Sequence, residues 1–329
     1  MFDFITIGSA TRDHFLKVDY ELIDWPKTPL KKAYVLPFGE KLDVASAYFT
    51  IGGNSVNAAV TFARQDLKTA CLAKLGSDAG AHDLKERLKK DGVDVKLIVH
   101  SAEEPTAFSV LLLKGGERTI IGYHGASNTF RMEDINLRKL MSRWWYLSLS
   151  GESDNMYLPL LRFAKEHKVK VAFNPSGHHI KHRREEILSS LRDLAVLVLN
   201  AGEAAELVGI PFQKEKEVFK KIDELLSPGI VVVTDGPNGV AVSDGKNTYK
   251  AGIFREQEVV DRTGCGDAFG SGFVAILSQG GAIPEAIRFA SANATAVLER
   301  IGGTEGILTK KDFENDLRWK DFPIEVKHL

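Results

Sequence analysis

The chain has 329 residues, and its 43 basic and 44 acidic side chains give a formal net charge of −1. Hydrophobic residues make up 44% and charged residues 26%, which is ordinary for a globular protein. Because there is no excess of positive charge, the composition argues against partners such as nucleic acid or an anionic membrane surface.

The chain contains two cysteines, too few for a disulfide framework or a cysteine-based zinc site. The first residues lack the features of a signal peptide. No apolar run approaches the ~20 residues that span a bilayer. We therefore expect a cytoplasmic protein with no membrane partner.

Strand patterns alternate along the chain with amphipathic helix patterns. In chain order, these patterns predict a strand at 2–7, a helix at 54–63, a strand at 69–74, a helix at 81–90, strands at 145–149, 168–173, 194–199 and 230–234, and helices near 266–278 and 284–299. Strands separated by helices of about ten to fifteen residues indicate a mostly parallel, doubly wound α/β sheet with helices on both faces.

Two stretches break this alternation, because they show strand-like segments with no helix between them: residues 14–50 and 106–124. Residues 108–113 and 118–123 flank the pair Gly115-Gly116 and predict a β-hairpin. We expect these stretches to form a small β-sheet that projects from a single domain covering residues 1–329.

The strongest chemical signal is the segment DRTGCGD, residues 261–267, followed by a helix pattern. Its glycines allow a tight turn, and the free N–H groups at the start of the helix form an anion site. An aspartate in an anion site makes sense if Asp267 faces a hydroxyl that must lose a proton. The alternative, equally supported by these residues alone, is a helix cap with Asp267 as an ordinary first-turn acid.

A second glycine-rich segment, GGNSVN at residues 52–57, feeds a helix start with two asparagines. Backbone amides and asparagine side chains can bind sugar hydroxyls there, or the segment is simply a capped loop.

Three weaker segments follow predicted strands. Asp13 could accept hydroxyl hydrogen bonds or be a solvated acid. Residues 200–203 could hold hydrated Mg²⁺ or start a helix, and residues 234–239 could meet a phosphate or form a hairpin turn.

Taken together, these segments resemble the ribokinase-like carbohydrate kinases, also called the phosphofructokinase-B type. The resemblance runs from residue 5 to about residue 308 and includes both family signatures. One is GGNSVNAAVTFARQDLKTACLAKLGSDAGAHDLKERLKKDGVDV, and the other is DRTGCGDAFGSGFVA. The occurrence of both in the family's order is far more specific than either alone.

The resemblance implies ATP-dependent, Mg²⁺-assisted phosphorylation of a sugar hydroxyl in a doubly wound domain with a β lid. It implies a catalytic base at Asp267 and an anion hole at Gly264, Cys265 and Gly266. It implies contacts to substrate hydroxyls by Asp13, Gly52, Gly53 and Asn57. A carboxylate with an ordinary pKa of about 3.9 is a weak base, so it would mainly orient the hydroxyl and take its proton late.

The nucleotide site follows from the same resemblance. It implies that Mg²⁺ and the phosphates are positioned by Asn200 and Glu203, with Glu203 holding the metal through water. It implies ATP contacts by Thr234, Gly236 and Gly239, and an adenine pocket at Ala290, Asn293 and Gly303. Some members also bind a monovalent cation such as K⁺ near the positions of Asp261 and Thr263, a point that the sequence leaves open.

Alternatives within and outside this class stay open. The first is a nucleoside kinase of the same fold, in which Phe15, Phe108 and Tyr123 would stack on a base or merely pack. A non-catalytic sugar-binding protein is disfavoured by the intact Asp267 segment.

An exposed edge of the β lid, as in many relatives, predicts a homodimer through the lid.

Two further features have competing interpretations. Cys265 stands where the family most often has alanine. A helix N terminus can lower a thiol pKa and make it oxidation-sensitive, or Cys265 simply replaces a small apolar residue. His178, His179 and His182 lie beside basic residues, a pattern more typical of a solvated basic loop than of a metal site.

Overall fold

The structure is a computed structural model that describes residues 1–28, 30–115 and 117–328. Its strands are β1 (Phe2–Gly8), β2 (Thr11–Lys17), β3 (Leu22–Asp24), β4 (Lys32–Tyr34), β5 (Ser46–Gly52), β6 (Thr69–Leu72), β7 (Lys74–Leu75), β8 (Val99–His100), β9 (Phe108–Lys114), β10 (Glu117–Tyr123), β11 (Ser142–Ser148), β12 (Lys170–Phe173), β13 (Val196–Asn200), β14 (Ile230–Thr234), β15 (Val240–Ser243), β16 (Asn247–Ala251) and β17 (Ile324–His328). Its helices are α1 (Asn54–Arg64), α2 (Ala79–Lys90), α3 (Gly125–Asn128), α4 (Tyr157–Glu166), α5 (Gly177–Ser190), α6 (Ala201–Val208), α7 (Glu215–Leu226), α8 (Cys265–Ser278), α9 (Ile283–Leu298) and α10 (Lys310–Asn315). None of the helices in these ranges is both long and apolar enough to cross a membrane.

Nine strands form one large sheet in the order β17-β16-β15-β14-β13-β12-β11-β1-β6. Strands β6, β1 and β11 to β14 are parallel, whereas β15 to β17 extend the β14 edge as antiparallel strands. The strand order reverses direction at the boundary between β1 and β11, where ligands collect in doubly wound sheets. The mostly parallel, doubly wound sheet that we expected is therefore confirmed, and the antiparallel extension was not predicted.

Both faces of the large sheet are buried under helices. In β1, Ile5 and Ile7 belong to a core cluster on one face, and Phe4 belongs to a cluster on the other face. Phe4 stacks on Phe62 of α1 with ring centroids 3.8 Å apart. Burial on both faces explains why the central strands are continuous apolar runs rather than alternating ones.

A separate small sheet has the strand order β10-β9-β2-β5. Strands β2 and β9 are parallel, and the other neighbours are antiparallel. The predicted hairpin is confirmed as β9 and β10, although Gly116 of its turn lies outside the described residues. The sheet starts at Thr11, earlier than the expected residue 14, and a further hairpin of β3 and β4 lies between β2 and β5.

One predicted strand is divided in the structure. Residues 69–74 were expected to form a single strand, but β6 ends at Leu72 and β7 begins at Lys74. The division has a topological cause, because β6 pairs with β1 in the large sheet while β7 pairs with β8 outside it.

Candidate active site

The start of helix α8 is built to approach a ligand through its backbone. The helix begins at Cys265 and has no side-chain cap on its first N–H groups. Gly264 precedes it with a φ of 79°, in the left-handed region that favours glycine. A Cβ on Gly264 would lie 2.5 Å from the Cα of Gly303, so no side chain fits. Uncapped N–H groups and the helix dipole suit this end of α8 to an anion.

Asp267 lies in the first turn of α8 and is contacted by a residue of α1. The Asn57 Nδ2 donates a hydrogen bond of 2.8 Å to Asp267 Oδ2. Burial raises the pKa of Asp267 to about 6, although the hydrogen bond from Asn57 opposes this shift. The expectation of an ordinary aspartate pKa is therefore wrong, and Asp267 is a stronger base than an exposed aspartate.

The environment of Cys265 corrects a second expectation. Burial, together with the nearby charge of Asp261, raises the pKa of the Cys265 thiol to about 12, opposite to the lowering expected at a helix N terminus. The thiolate is the reactive form of cysteine, so a protonated thiol is a poor nucleophile. The structure favours the alternative in which Cys265 is a small, mostly apolar residue.

A first cavity of about 600 Å³ is lined by the small sheet, by loops after β1, β11 and β12, and by the start of α8. Asp13 lines it from β2 and is nearly buried, and its Oδ1 accepts a hydrogen bond of 3.0 Å from the Thr11 hydroxyl. Burial also raises the pKa of Asp13. Gly52 packs directly against this carboxylate. A Cβ on Gly52 would lie 2.0 Å from Asp13 Oδ2, so no side chain fits there.

The structure brings most of the expected substrate residues together at the first cavity. Its lining includes Asp13, Gly53, Asn57, Gly264 and Asp267. Gly53 has a φ of 94° and packs so closely on the Ser9 carbonyl that a Cβ would lie 2.6 Å from its oxygen. The buried Asn57 Oδ1 has no hydrogen-bond partner among the described residues.

Sequence reasoning missed one basic residue of this cavity and set another aside. Arg118 of β10 lines it, and the buried Arg118 Nε has no hydrogen-bond partner in the described part of the chain. The two-residue period of the predicted hairpin could have revealed it, since Arg118, Ile120 and Gly122 all point to this side. His178 also lines the cavity, and it lies on helix α5 rather than on the expected loop.

The three aromatic residues expected near a base differ in position. The aromatic rings of Phe108 and Tyr123 line the first cavity, whereas Phe15 is fully buried in β2 and does not line it.

A second cavity, of about 440 Å³, lies on the other side of the α8 start. The expected residues that line it are Thr234, Gly236, Gly239, Cys265 and Gly266. Gly264 and Asp267 line the first cavity while Cys265 and Gly266 line the second, so one short segment separates the two.

The segment of residues 234–239 is both a turn and a cavity wall. It joins β14 to the antiparallel strand β15 through a short 3-10 helix, Gly236–Asn238. Gly239 has a φ of 93°, and a Cβ there would lie 2.0 Å from the Ala251 carbonyl oxygen. The hairpin alternative is thus observed, and the same bare backbone lines the second cavity.

The three residues expected for the adenine pocket do not line the second cavity. Ala290 is fully buried in the core, and Asn293 uses its side chain to bind Ala268 O and Leu308 N. Gly303 instead packs against Asn57 and Gly264. The face of α9 that does line the cavity carries Ser291, Ala294, Thr295 and Leu298. The reason is the rotation of α9, whose other face packs on α8.

Asn200 and Glu203 form a reciprocal cap at the start of α6. Glu203 N donates to Asn200 Oδ1, and Asn200 N donates to Glu203 Oε2, both at 2.8 Å. Burial, and also the negative charge of Asp267, raises the pKa of Glu203. No group of three metal-ligating side chains occurs within the described ranges. Glu203 supplies one carboxylate at this cap, an oxygen donor of the type that Mg²⁺ takes.

Two cavities meet at an uncapped helix start and a carboxylate of raised pKa in a doubly wound α/β protein, an arrangement suited to group transfer. Residues 14–310 match the family described as pfkB family carbohydrate kinase. The chain therefore belongs to this family, and it is an ATP-dependent phosphotransferase with an alcohol group as acceptor.

Individual relatives and solved structures are similar over most of the chain. A ribokinase of Staphylococcus aureus is 26% identical over 310 residues, which cover 92% of this chain and 95% of the relative. A nucleoside kinase of Methanothermobacter thermautotrophicus is 26% identical over 254 residues, covering 76% and 79%. The structure of Arabidopsis thaliana ribokinase complexed with ribose and ATP has a TM-score of 0.78 at 22% identity and covers 97% of this chain and 99% of that chain.

Proposed function

We propose that the protein transfers the γ-phosphoryl group of ATP to a hydroxyl of a sugar bound in the first cavity. The observation that carries this proposal is the position of Asp267, which lines the first cavity one residue after the wall of the second. ATP occupies the second cavity, so its transferred group meets the acceptor at the start of α8. A single kinase domain, residues 1–329, contains both cavities, and the small sheet acts as the lid.

Each residue then has a role that follows from its surroundings. Phosphoryl transfer depends mainly on positioning and charge stabilisation, because its transition state is loose. Asp267 takes the proton of the acceptor hydroxyl, and the N–H groups at Gly264, Cys265 and Gly266 receive the developing negative charge. Arg118 adds a positive charge from the lid, where its guanidinium has no described partner of its own.

The remaining roles divide between acceptor and nucleotide. Asp13, Asn57 and the Gly52-Gly53 backbone bind acceptor hydroxyls. Thr234, Gly236 and Gly239 contact the ATP phosphates, and the adenine ring lies against the α9 face that carries Ser291 rather than against Ala290. Asn200 and Glu203 hold hydrated Mg²⁺, which neutralises phosphate charge when bound.

A monovalent cation such as K⁺ is an additional cofactor to test near Asp261. The Asp261 carboxylate already accepts hydrogen bonds from Thr263 N, Thr263 Oγ1 and Gly302 N at 3.0, 2.8 and 3.1 Å. Activity in potassium chloride compared with choline chloride at equal ionic strength decides the point, because only a bound cation distinguishes the two salts.

A nucleoside is the second candidate acceptor, and a specific observation favours it. Phe108 and Tyr123 both line the first cavity, with ring centroids 5.5 Å apart, and such rings can stack on a base. The nucleoside kinase relative is consistent with this acceptor.

We also propose a homodimer through the outer face of the lid. Phe49 and Ile121, which are 63% and 55% exposed, lie on the face of the small sheet opposite to Asp13. An exposed apolar sheet face is a typical interface with a second copy.

A cytoplasmic location is proposed as well, since Cys71 and Cys265 are free thiols, as is usual in a reducing compartment.

A thermal-shift screen of sugars and nucleosides with a non-hydrolysable ATP analogue tests the acceptor. Ligands that bind the folded state raise its unfolding temperature, so the true acceptor should stand out. A coupled ADP-release assay with the best sugar or nucleoside then measures turnover. Binding without any turnover would support the non-catalytic alternative and contradict the kinase proposal.

A further inference from the structure

A polar extension of the first cavity is not explained by the roles above. The segments that follow β11 and β12, including the start of α5, contribute Ser150, Gly151, Ser176 and His178 to its lining. These strands are neighbours in the large sheet, so their carboxyl ends bring the two loops together. From these described loops the cavity receives no Phe, Tyr or Trp ring, whereas Phe108 and Tyr123 come from the lid. This side of the cavity is therefore chemically suited to hydroxyl groups.

His178 is held in a fixed orientation by a buried carboxylate. Asp154 is 2% exposed, and its Oδ2 accepts a hydrogen bond of 2.8 Å from His178 Nδ1. The second Asp154 oxygen, Oδ1, makes no hydrogen bond with any described residue, although His179 Nδ1 lies 3.3 Å from it. The neighbouring His179 is fully buried, and burial lowers its pKa to about 4, so it remains neutral beside Asp154.

This hydrogen bond defines which atom of His178 is available to a ligand. A carboxylate partner requires a proton on Nδ1, and Nε2 is then the free hydrogen-bonding atom of the ring. Pairs of this kind, in which a carboxylate orients an imidazole, fix both the ring and its tautomer. The His178 side chain is half exposed, and it borders both the first cavity and a smaller cavity of about 290 Å³.

We propose that His178, oriented by Asp154, determines acceptor specificity by hydrogen-bonding a sugar hydroxyl remote from the one that is phosphorylated. This inference rests on the proposed kinase function and names the chemistry of the acceptor at that end: a polyhydroxylated group rather than an apolar one. Asp154 is a positioning residue, because it acts only through the imidazole.

The chain offers a matched control for this proposal. His182 lies one helical turn after His178 on α5, with ring centroids 4.3 Å apart, and it borders only the smaller cavity. His178→Ala and His182→Ala remove the same side chain from the same helix, so a general effect on α5 would appear in both.

The test measures steady-state kinetics of the two variants with D-ribose and with adenosine as acceptors. We expect His178→Ala to raise the acceptor KM by ~10-fold or more, the effect of one hydrogen bond to an ionisable group, while kcat and the KM for ATP change less than about threefold. His182→Ala should leave all three parameters near those of the wild type. Asp154→Asn should raise the acceptor KM in the same direction, with thermal unfolding confirming that the variant is folded.

Two results overturn the inference. One is an acceptor KM of His178→Ala within about twofold of wild type, and the other is an equal rise in the His182→Ala variant. Neither result affects the proposed function, which fails only if the wild-type protein phosphorylates no sugar or nucleoside. Acceptor-induced thermal shifts of the same variants give a second readout that does not need turnover.

Discussion

The proposed general base, Asp267, accepts a hydrogen bond from the Asn57 side-chain amide, and its carboxylate makes no described hydrogen bond to the N–H groups of α8. Asp267→Asn retains the shape of the side chain but removes the basic oxygen. We expect kcat to fall by ~10²–10⁴-fold, the usual range for a positioned acid or base. Calorimetric binding of a non-hydrolysable ATP analogue should be unchanged, and near-normal turnover would contradict the assignment.

The raised pKa of Asp267 also predicts a dependence on pH. The base must be deprotonated to act, so activity is present above its pKa of about 6 and is lost as pH falls through that value. We expect kcat/KM for the acceptor to decrease by ~10-fold per pH unit below this point. Saturating MgATP and a return to neutral pH control for nucleotide protonation and for unfolding. A decrease in kcat/KM that begins only near pH 4 would contradict the raised pKa of Asp267.

Arg118 is predicted to act on the transferred group through its charge. Arg118→Met keeps most of the apolar stem but removes the guanidinium, so kcat should fall by ~10–10²-fold with a smaller change in the acceptor KM. Arg143→Met is a suitable control, because Arg143 is an exposed residue paired with Asp3 away from both cavities. Equal kinetics of the two variants would exclude a role for Arg118.

At the scale of elements, the turn before α8 requires a glycine at position 264, whereas the glycine at position 266 can be replaced. Gly264 has a positive φ and no room for a Cβ, whereas a Cβ on Gly266 would meet no atom within 4 Å. Gly264→Ala should therefore lower the free energy of unfolding by at least ~2 kcal/mol, from backbone strain and the contact with Gly303. Gly266→Ala should unfold near the wild-type temperature in calorimetry. Equal unfolding temperatures would contradict the strained turn.

Helix α9 shows how the rotation of a helix decides which of its residues face a cavity. The adenine pocket was expected at Ala290 and Asn293, but the cavity is lined by Ser291 and Ala294, one position later in each case. One residue corresponds to about 100° of rotation around a helix, so a shift of one position exchanges the core face for the cavity face.

For the whole molecule, the proposed dimer depends on the outer face of the small sheet. Phe49→Glu places a charge on this apolar face, so we expect the variant to be monomeric by light scattering under conditions in which the wild type is dimeric. Phe38→Glu is the matched control, because Phe38 is fully exposed in the segment between β4 and β5. A wild-type monomer, or dissociation by both variants, would contradict this interface.

The near-zero net charge of the chain is compatible with a polyanionic cosubstrate. A polyanionic cosubstrate does not require a basic surface here, since its phosphates would meet backbone N–H groups at the start of α8 and a metal ion. Gly53, Gly239 and Gly264, which have no room for a Cβ, line the two cavities.

The sequence by itself determined the alternation of the central parallel strands with helices, the presence of a second small sheet, and the glycine turns around Gly53 and Gly264. These features depend on side-chain periodicity and on local backbone conformation, which neighbouring residues decide. Only the tertiary structure decided the pKa of Asp267 and of Cys265, the cavity-facing side of α9, and the places of Arg118 and His178. Each depends on burial or on contacts between residues remote in the chain, as in the hydrogen bond between Asn57 and Asp267, which are 210 residues apart.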